Sequence, residues 1–449
     1  MENKGKLFSN QDLRKLILPF FFEQLLLLLV GVSDTFMVSY AGEAAVSGVS
    51  LVNMLVVFFI YVFTALASGG AVMVSQYLGA RQKIKAEKTA GQLLLLSSGF
   101  SLLATAVLLL WNRPILQLFF GSVEPDVMDA CVAYQKIMAY SFLGLGVYNT
   151  GAAVCRSINR TGVTLRISIW ANIINVVGNA IGIFVLHAGV AGVAWPTFLS
   201  RMFSAVAVTW YCLRPDTLVQ YHWKNILPVD KQSIREILHV AVPNSIENGA
   251  FQLIKVALTS ITALFGTAQI AANGIAQSIW SLASIMVITM GPVYITVIGQ
   301  CMGAGEITQA TWYFKKLMKI TSLSSLVWNG LIFALTPFLM QYYALSDEVR
   351  SLVIQLVLIH NLFNGVAWPF GGALPFGLRA AGDIRFTMVV SIASTVLVRM
   401  ILSVALGIYL HMGVIGIALA MVADWTVRAV IFFLRWRQGK WRSMKLIAG

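Results

Sequence analysis

Acids and amides set inside apolar segments are where this sequence is equipped to do chemistry. Asp34, in Gly31-Val32-Ser33-Asp34-Thr35, lies five residues before the outer end of an apolar run over 16–39, about 8 Å deep at 1.5 Å per residue. Glu23 precedes it by eleven positions, close to three helical turns, so one face of that run carries two acids. A charge near the centre of a bilayer costs about 2.5 to 3.5 kcal/mol on insertion scales, and it therefore faces a cavity or a partner. A later run over 166–187 places Asn172, Asn175 and Asn179 at i, i+3 and i+7 on one helical side. Asn172, nearest the cytoplasmic end, reads as interhelical packing. Asn179 lies at the depth of Asp34 and of Thr197 in the following run. A carboxylate, amide oxygens and a hydroxyl at one level suit a sodium ion, or steady a proton on the acid. Asp34, Asn175, Asn179 and Thr197 are thus the candidate ion site.

In the second half, Asp424 and Arg428 stand i, i+4 and are expected to form a salt bridge. Glu247 is expected either to pair with Lys255 or Arg399 or to line a substrate path together with Glu23 and those two cations. Pro19 is the candidate hinge of the first run; Pro196, Pro292 and Pro369 imply further kinks. Trp195, Trp280 and Trp368 suit packing or a cavity wall. There is no phosphate-binding G-x-x-x-x-G-K-[ST], no H-E-x-x-H and no G-x-S-x-G, and the 5 His do not cluster, so neither an enzyme nor a cofactor is expected. Cys131, Cys155, Cys212 and Cys301 are scattered and read as apolar packing residues.

The elements that must hold these residues are membrane helices. Of 449 residues, 58% are hydrophobic and 11% charged, too little polar surface for a soluble fold, which carries about 25% charge. Apolar stretches able to cross about 30 Å fall near 16–39, 46–78, 89–111, 130–155, 166–187, 189–213, 237–265, 269–299, 317–344, 351–376, 384–410 and 413–436. The first is read as a retained helix, because it outruns a signal-peptide core. Basic residues cluster on alternate connections: Lys4, Lys6, Arg14 and Lys15 before the first span, Arg81 to Lys88 after the second, and so on to Arg435 to Lys445 after the twelfth. The opposite connections hold only Arg113 and Arg350. Both termini are therefore expected in the cytoplasm of a multi-pass plasma (inner) membrane protein, and the net charge of +14 is topological rather than a sign of nucleic-acid binding.

A shift of 224 positions aligns Pro19-x-x-x-Glu23 with Pro243-x-x-x-Glu247, Gln76-x-x-Gly79-Ala80 with Gln300-x-x-Gly303-Ala304, and Leu186-His187-x-Gly189-Val190-x-Gly192 with Leu410-His411-x-Gly413-Val414-x-Gly416. Six spans per half make the repeats parallel. The expected division is a cytoplasmic N-terminus 1–15, an N-terminal lobe 16–213, a linker 214–236, a C-terminal lobe 237–436 and a basic tail 437–449. Under the same shift Asp34, Asn175, Asn179 and Thr197 fall on Leu258, Arg399, Ser403 and Met421, so the acid-amide-hydroxyl set exists in one half only.

The Pro at the start of span one, the Asp in G-x-x-D-T-x-x-V, the twofold Q-x-x-G-A, the N-x-x-x-N of span five and the G-V-A-G-V-A opening of span six resemble the MATE family of multidrug and toxin extrusion transporters, most of all its DinF-like and prokaryotic members. The resemblance implies a V-shaped, two-lobed antiporter, monomeric and lipid-embedded, that expels lipophilic organic cations in exchange for protons or sodium. Asp34 matches that family's coupling acid, Asn175 its span-five Asn and Thr197 its span-six Thr, while Asn179 stands where related members have a second Asp. Glu247 resembles the span-seven acid of some members in a different register. A lipid-linked-sugar flippase of the same superfamily is the alternative, to which Lys255 and Arg399 offer an anionic-headgroup site.

Overall fold

The computed structural model describes residues 6–121, 123–341 and 345–447. Lys4, the expected end of span nine at 342–344 and the last two residues of the basic tail lie outside the described residues. Among the described residues all regular structure is helical. The long segments are α1 (Asn10–Ser39), α2 (Glu43–Gly79), α3 (Lys83–Leu110), α4 (Pro125–Ser157), α5 (Thr161–Val185), α6 (Ala191–Leu213), α7 (Lys231–Phe265), α8 (267–303, broken at Ser284), α9 (Ile307–Met340), α10 (347–380, with a widened turn at Pro369–Ala373), α11 (Ile384–Tyr409) and α12 (Gly413–Gln438).

Eleven helices among the described residues are long and apolar enough to cross a membrane. The stretch outside that set is α6, where Arg201 interrupts the apolar run. Several helices begin earlier than the apolar runs: α9 starts at Ile307 rather than near 317, and α3 at Lys83 rather than near 89. Hydropathy reports where lipid lies, whereas backbone hydrogen bonding continues into the polar flanks that carry Lys315, Lys316 and Lys319. Pro19, Pro196 and Pro292 sit inside unbroken helices, while Pro369 opens a stretch of widened helix.

The chain packs as two units, Asn10–Val242 and Pro243–Gly449, the second joined by the N-terminal residues through Ser9. In the first unit Val52, Phe63, Cys131, Ala139 and Phe142 form a fully enclosed core. The connection after α6 lies on α3, where Gln92 donates to the carbonyls of Asn225 and Pro228 at 2.7 and 2.8 Å and accepts from the Asp230 amide at 2.9 Å. In the second unit Trp425 is enclosed by Trp280 and Trp368, with ring centroids 5.9 and 5.1 Å away. The chain enters this unit through Phe8, whose carbonyl accepts from Tyr313 at 2.6 Å.

The internal repeat is visible in the backbone. Gly42 and Gly266, 224 positions apart, both precede a helix at positive φ, 100° and 90°, a conformation that favours glycine. Where α5 meets α6, Gly182 and Gly192 bring the two backbones together so closely that no Cβ fits at either residue, and at the matching place a Cβ on Gly416 of α12 would stand 2.6 Å from the Gly407 backbone of α11.

Candidate ion and substrate site

Asp34 is half-buried on α1, and its Oδ1 accepts a hydrogen bond of 2.6 Å from Asn179 Nδ2 on α5. Asn179 Nδ2 also donates to Asn175 Oδ1 at 3.3 Å, and Asn175 Nδ2 donates to Thr197 Oγ1 on α6 at 3.0 Å. Thr197 closes the chain by donating to the Val193 carbonyl at 3.0 Å. The i, i+4 spacing of Asn175 and Asn179 is what stacks the two amides along α5. The four residues expected to share one level are therefore hydrogen-bonded in series. Asn172 stands apart from the series. Asn179 is fully buried, and its Oδ1 has no hydrogen-bond partner among the described residues. An orphaned carbonyl-type oxygen beside a carboxylate is a pair of hard ligands for a monovalent cation, or an acceptor for a protonated Asp34.

Two residues of this neighbourhood escaped the sequence reading. Arg201 of α6 donates to Ser141 Oγ at 2.8 Å and acts electrostatically on Asp34 and on Tyr134. Tyr134 in turn donates to Asn53 Oδ1 at 3.3 Å. Arg201 is a cation inside a span, but its depth alone does not show which helix it faces. Among the described residues no group of three or more His, Cys, Asp or Glu side chains could hold a metal ion.

The remaining candidates lie elsewhere. Glu23, 2% exposed, accepts from Arg156 at 3.0 Å, Tyr148 at 3.0 Å and Thr164 at 2.8 Å. Glu247 corrects an expectation: its partner is neither Lys255 nor Arg399 but Arg379, whose Nη2 reaches its two oxygens at 2.8 and 2.9 Å. Arg379 Nε also donates to Thr387 at 3.2 Å. In both units a Glu four residues after a Pro pairs with an Arg, Glu23 with Arg156 and Glu247 with Arg379, and a Thr adjoins the pair, Thr164 donating to its Glu and Thr387 accepting from its Arg. Both arginines belong to the basic clusters on alternate connections, where topology alone already accounts for a positive charge. Asp424 pairs with Arg428 as expected and also accepts from Ser394 at 2.6 Å. Lys255 and Arg399 instead line a small cavity in the second unit with Gln277 and Trp280.

Comparison with known proteins bears directly on this duplicated arrangement. The family profile MatE matches residues 19–181 and again 243–405. The chain belongs to the MatE family. The two matches stand 224 residues apart, the offset of the internal repeat. Among MATE relatives, the uncharacterized transporter YisQ of Bacillus subtilis is 27% identical over 94% of this chain and 93% of its own. The probable multidrug resistance protein NorM of Thermotoga maritima is 24% identical over 97% and 94%. A MATE crystal structure in complex with MaL6 superposes with a TM-score of 0.90 at 19% identity, covering 97% of both chains. An outward-facing multidrug resistance MATE transporter of the MOP superfamily gives 0.89 at 20% identity over 98% and 100%. MATE proteins are multi-pass membrane transporters, not enzymes, and the match does not favour the flippase reading.

Proposed function

We propose that this MATE protein is an antiporter that exports lipophilic organic compounds in exchange for H+ or Na+, with Asp34 as the coupling acid and Asn175, Asn179 and Thr197 as its partners. The observation that carries the reading is the pairing of Asp34 with Asn179, whose second amide atom is a buried, unused acceptor. A bare carboxylate in this apolar surrounding is poorly solvated, and a bound proton or sodium ion relieves that cost. If the loaded and unloaded states favour different orientations of the protein, ion entry drives substrate exit, because a ligand shifts an equilibrium only through its differential affinity for the two states. Arg201 supplies a fixed positive field at the same acid. It opposes cation retention and so favours release once the ion has crossed.

The charge pattern supports both termini in the cytoplasm, and the reading is completed by a monomer in the plasma membrane with lobes 16–213 and 237–436. Single-cysteine labelling at Lys83, Arg160 and Lys440 is expected to report the cytoplasm, and at Gly121 and Asp347 the outside. External labelling at Lys83 or Lys440 reverses the topology. The activity itself is tested in proteoliposomes under imposed proton or sodium gradients. Uphill, saturable efflux of a lipophilic cation, the class the resemblance implies, or of a neutral or anionic compound is expected. Passive, unsaturable ion flux without exchange identifies a channel instead.

A further inference from the structure

The cavity in the second unit is the repeat counterpart of the Asp34 site, with its polarity inverted. Adding 224 to Asp34 and Asn175 gives Leu258 and Arg399, and adding it to Asn53 gives Gln277; all three line this cavity. Arg399 is 6% exposed, with its guanidinium 5.3 Å from the centre of the Phe251 ring. Lys255, an exposed residue one helical turn before Leu258, lines the same space and lies within the electrostatic reach of Arg399.

Among the described residues neither cation has an ion-pair partner. The nearby carboxylate, Asp424, is already bound by Arg428 and Ser394, and Glu247 is held by Arg379. Lys255, Arg399 and Arg428 against Asp424 leave an excess of two positive charges around the cavity, with Arg399 itself buried. Removing charges from water costs several kcal/mol each unless a partner compensates, and two like charges in one cavity add repulsion.

The hydrogen-bond inventory points the same way. Arg399 Nε and Trp280 Nε1 are buried donors with no acceptor among the described residues, and both residues line the cavity. Trp280 is held in place by stacking on Trp425, with an interplanar angle of 21°. Buried donors without acceptors are rare and call for an explanation. Here the explanation is an anion. The space measures about 60 Å³, well below the roughly 300 Å³ of a pocket that encloses a drug-sized ligand, and so suits one oxyanion group of a larger molecule.

Resting on the transporter reading above, we propose that this cavity binds the anionic group, a carboxylate, sulfonate or phosphate, of an amphiphilic organic compound. Lys255 and Arg399 supply charge, Arg399 Nε and Trp280 Nε1 supply directed hydrogen bonds, and Phe251 and Leu258 supply the apolar wall. The protein's substrates then include anionic or zwitterionic amphiphiles, beyond the simple lipophilic cations that the resemblance implies.

The test is calorimetric titration of the purified full-length protein with naphthalene acetate and with naphthylmethylammonium, which share an aromatic body and differ in the sign of charge. The acetate is expected to bind more tightly. Lys255→Gln and Arg399→Gln should each weaken it by about tenfold or more, the scale of one charge-assisted hydrogen bond, and Arg399→Lys should recover part of the loss. Lys255 is exposed, so Lys255→Gln decides the matter if Arg399→Gln does not fold. Equilibrium binding of the acetate is measured without any gradient, so its loss in Lys255→Gln reports on the anion site whatever gradient-driven export by Asp34→Asn shows, and the two readings fail separately. Repeating the titration in nanodiscs distinguishes the source of the anion. Acetate binding weakened by phosphatidylglycerol relative to phosphatidylcholine, in wild type but not in Lys255→Gln, makes a lipid headgroup the occupant, and equal binding in both makes it a free organic anion. Equal or tighter binding of the ammonium compound, or wild-type acetate affinity in Lys255→Gln, overturns the proposal.

Discussion

The two lobes descend from one repeat yet hold opposite chemistry at matching positions. In the first, Asp34 and Asn175 belong to a hydrogen-bonded series around Asn179, whose buried Oδ1 has no partner among the described residues. In the second, the corresponding positions are Leu258 and Arg399, and the unpartnered buried atoms that line the cavity there, Arg399 Nε and Trp280 Nε1, are donors. Elsewhere the lobes remain alike: both keep the Glu-Arg-Thr cluster, the glycine contact between their last two helices and the positive-φ residue before their second helix. Duplication thus preserved what holds each lobe together and changed what each can bind. The shared elements are structural because each Glu carboxylate is paired within its own lobe, whereas the divergent ones leave polar atoms open to a ligand.

The largest effect expected from this comparison is on stability. Breaking a buried ion pair by removing one partner costs about 3 to 5 kcal/mol, so Glu247→Gln, which strands Arg379, should lower the melting temperature sharply, and Glu23→Gln should do the same in the other lobe. A loss confined to one lobe would show that the two clusters are not equivalent. Next in size, Asn179→Leu removes the donor to Asp34 and the free acceptor together, and should cut gradient-driven export about tenfold or more while leaving the melting temperature within a few degrees of wild type. Unchanged export would place the ion elsewhere.

A smaller effect is expected at the connection to α7. Ser233 and Lys88 hold the Asp230 carboxyl below its ordinary value. A depressed carboxylate contributes stability above the unfolded-state value near 4 and loses it as pH falls through the folded-state value. Because Asp230 is close to the surface, the contribution is about 1 kcal/mol or less. Asp230→Asn should therefore lower the melting temperature slightly at neutral pH, with the difference from wild type vanishing in acid. A difference that grows in acid contradicts the assignment.

The cluster around Asp34 was legible because depth and helical periodicity are properties of single segments: an acid, an i, i+4 pair of amides and a hydroxyl at one level meet when three helices pack side by side. The repeat was legible because Pro, Glu, Gln and His are rare enough in apolar helices to fix an offset. Of the two readings of Glu247, the pairing named the wrong cation because the true partner lies 132 residues away. Arg379 also sits where a basic residue already has a topological explanation, and Arg156 concealed the partner of Glu23 in the same way. Arg201 was visible as a misplaced charge, but hydropathy does not specify which face of α6 meets Ser141 and Tyr134. The break in α8 at Ser284 has no Gly or Pro to announce it.

The claim that the first lobe carries the coupling ion is tested most directly by Asp34→Asn, which keeps the shape of the side chain and removes its titratable charge. Gradient-driven export is measured in proteoliposomes for wild type and variant, under a proton gradient and separately under a sodium gradient, at matched protein incorporation. The account predicts that the variant inserts normally and loses export under whichever gradient drives the wild type. Export by Asp34→Asn at the wild-type rate under both gradients would contradict it.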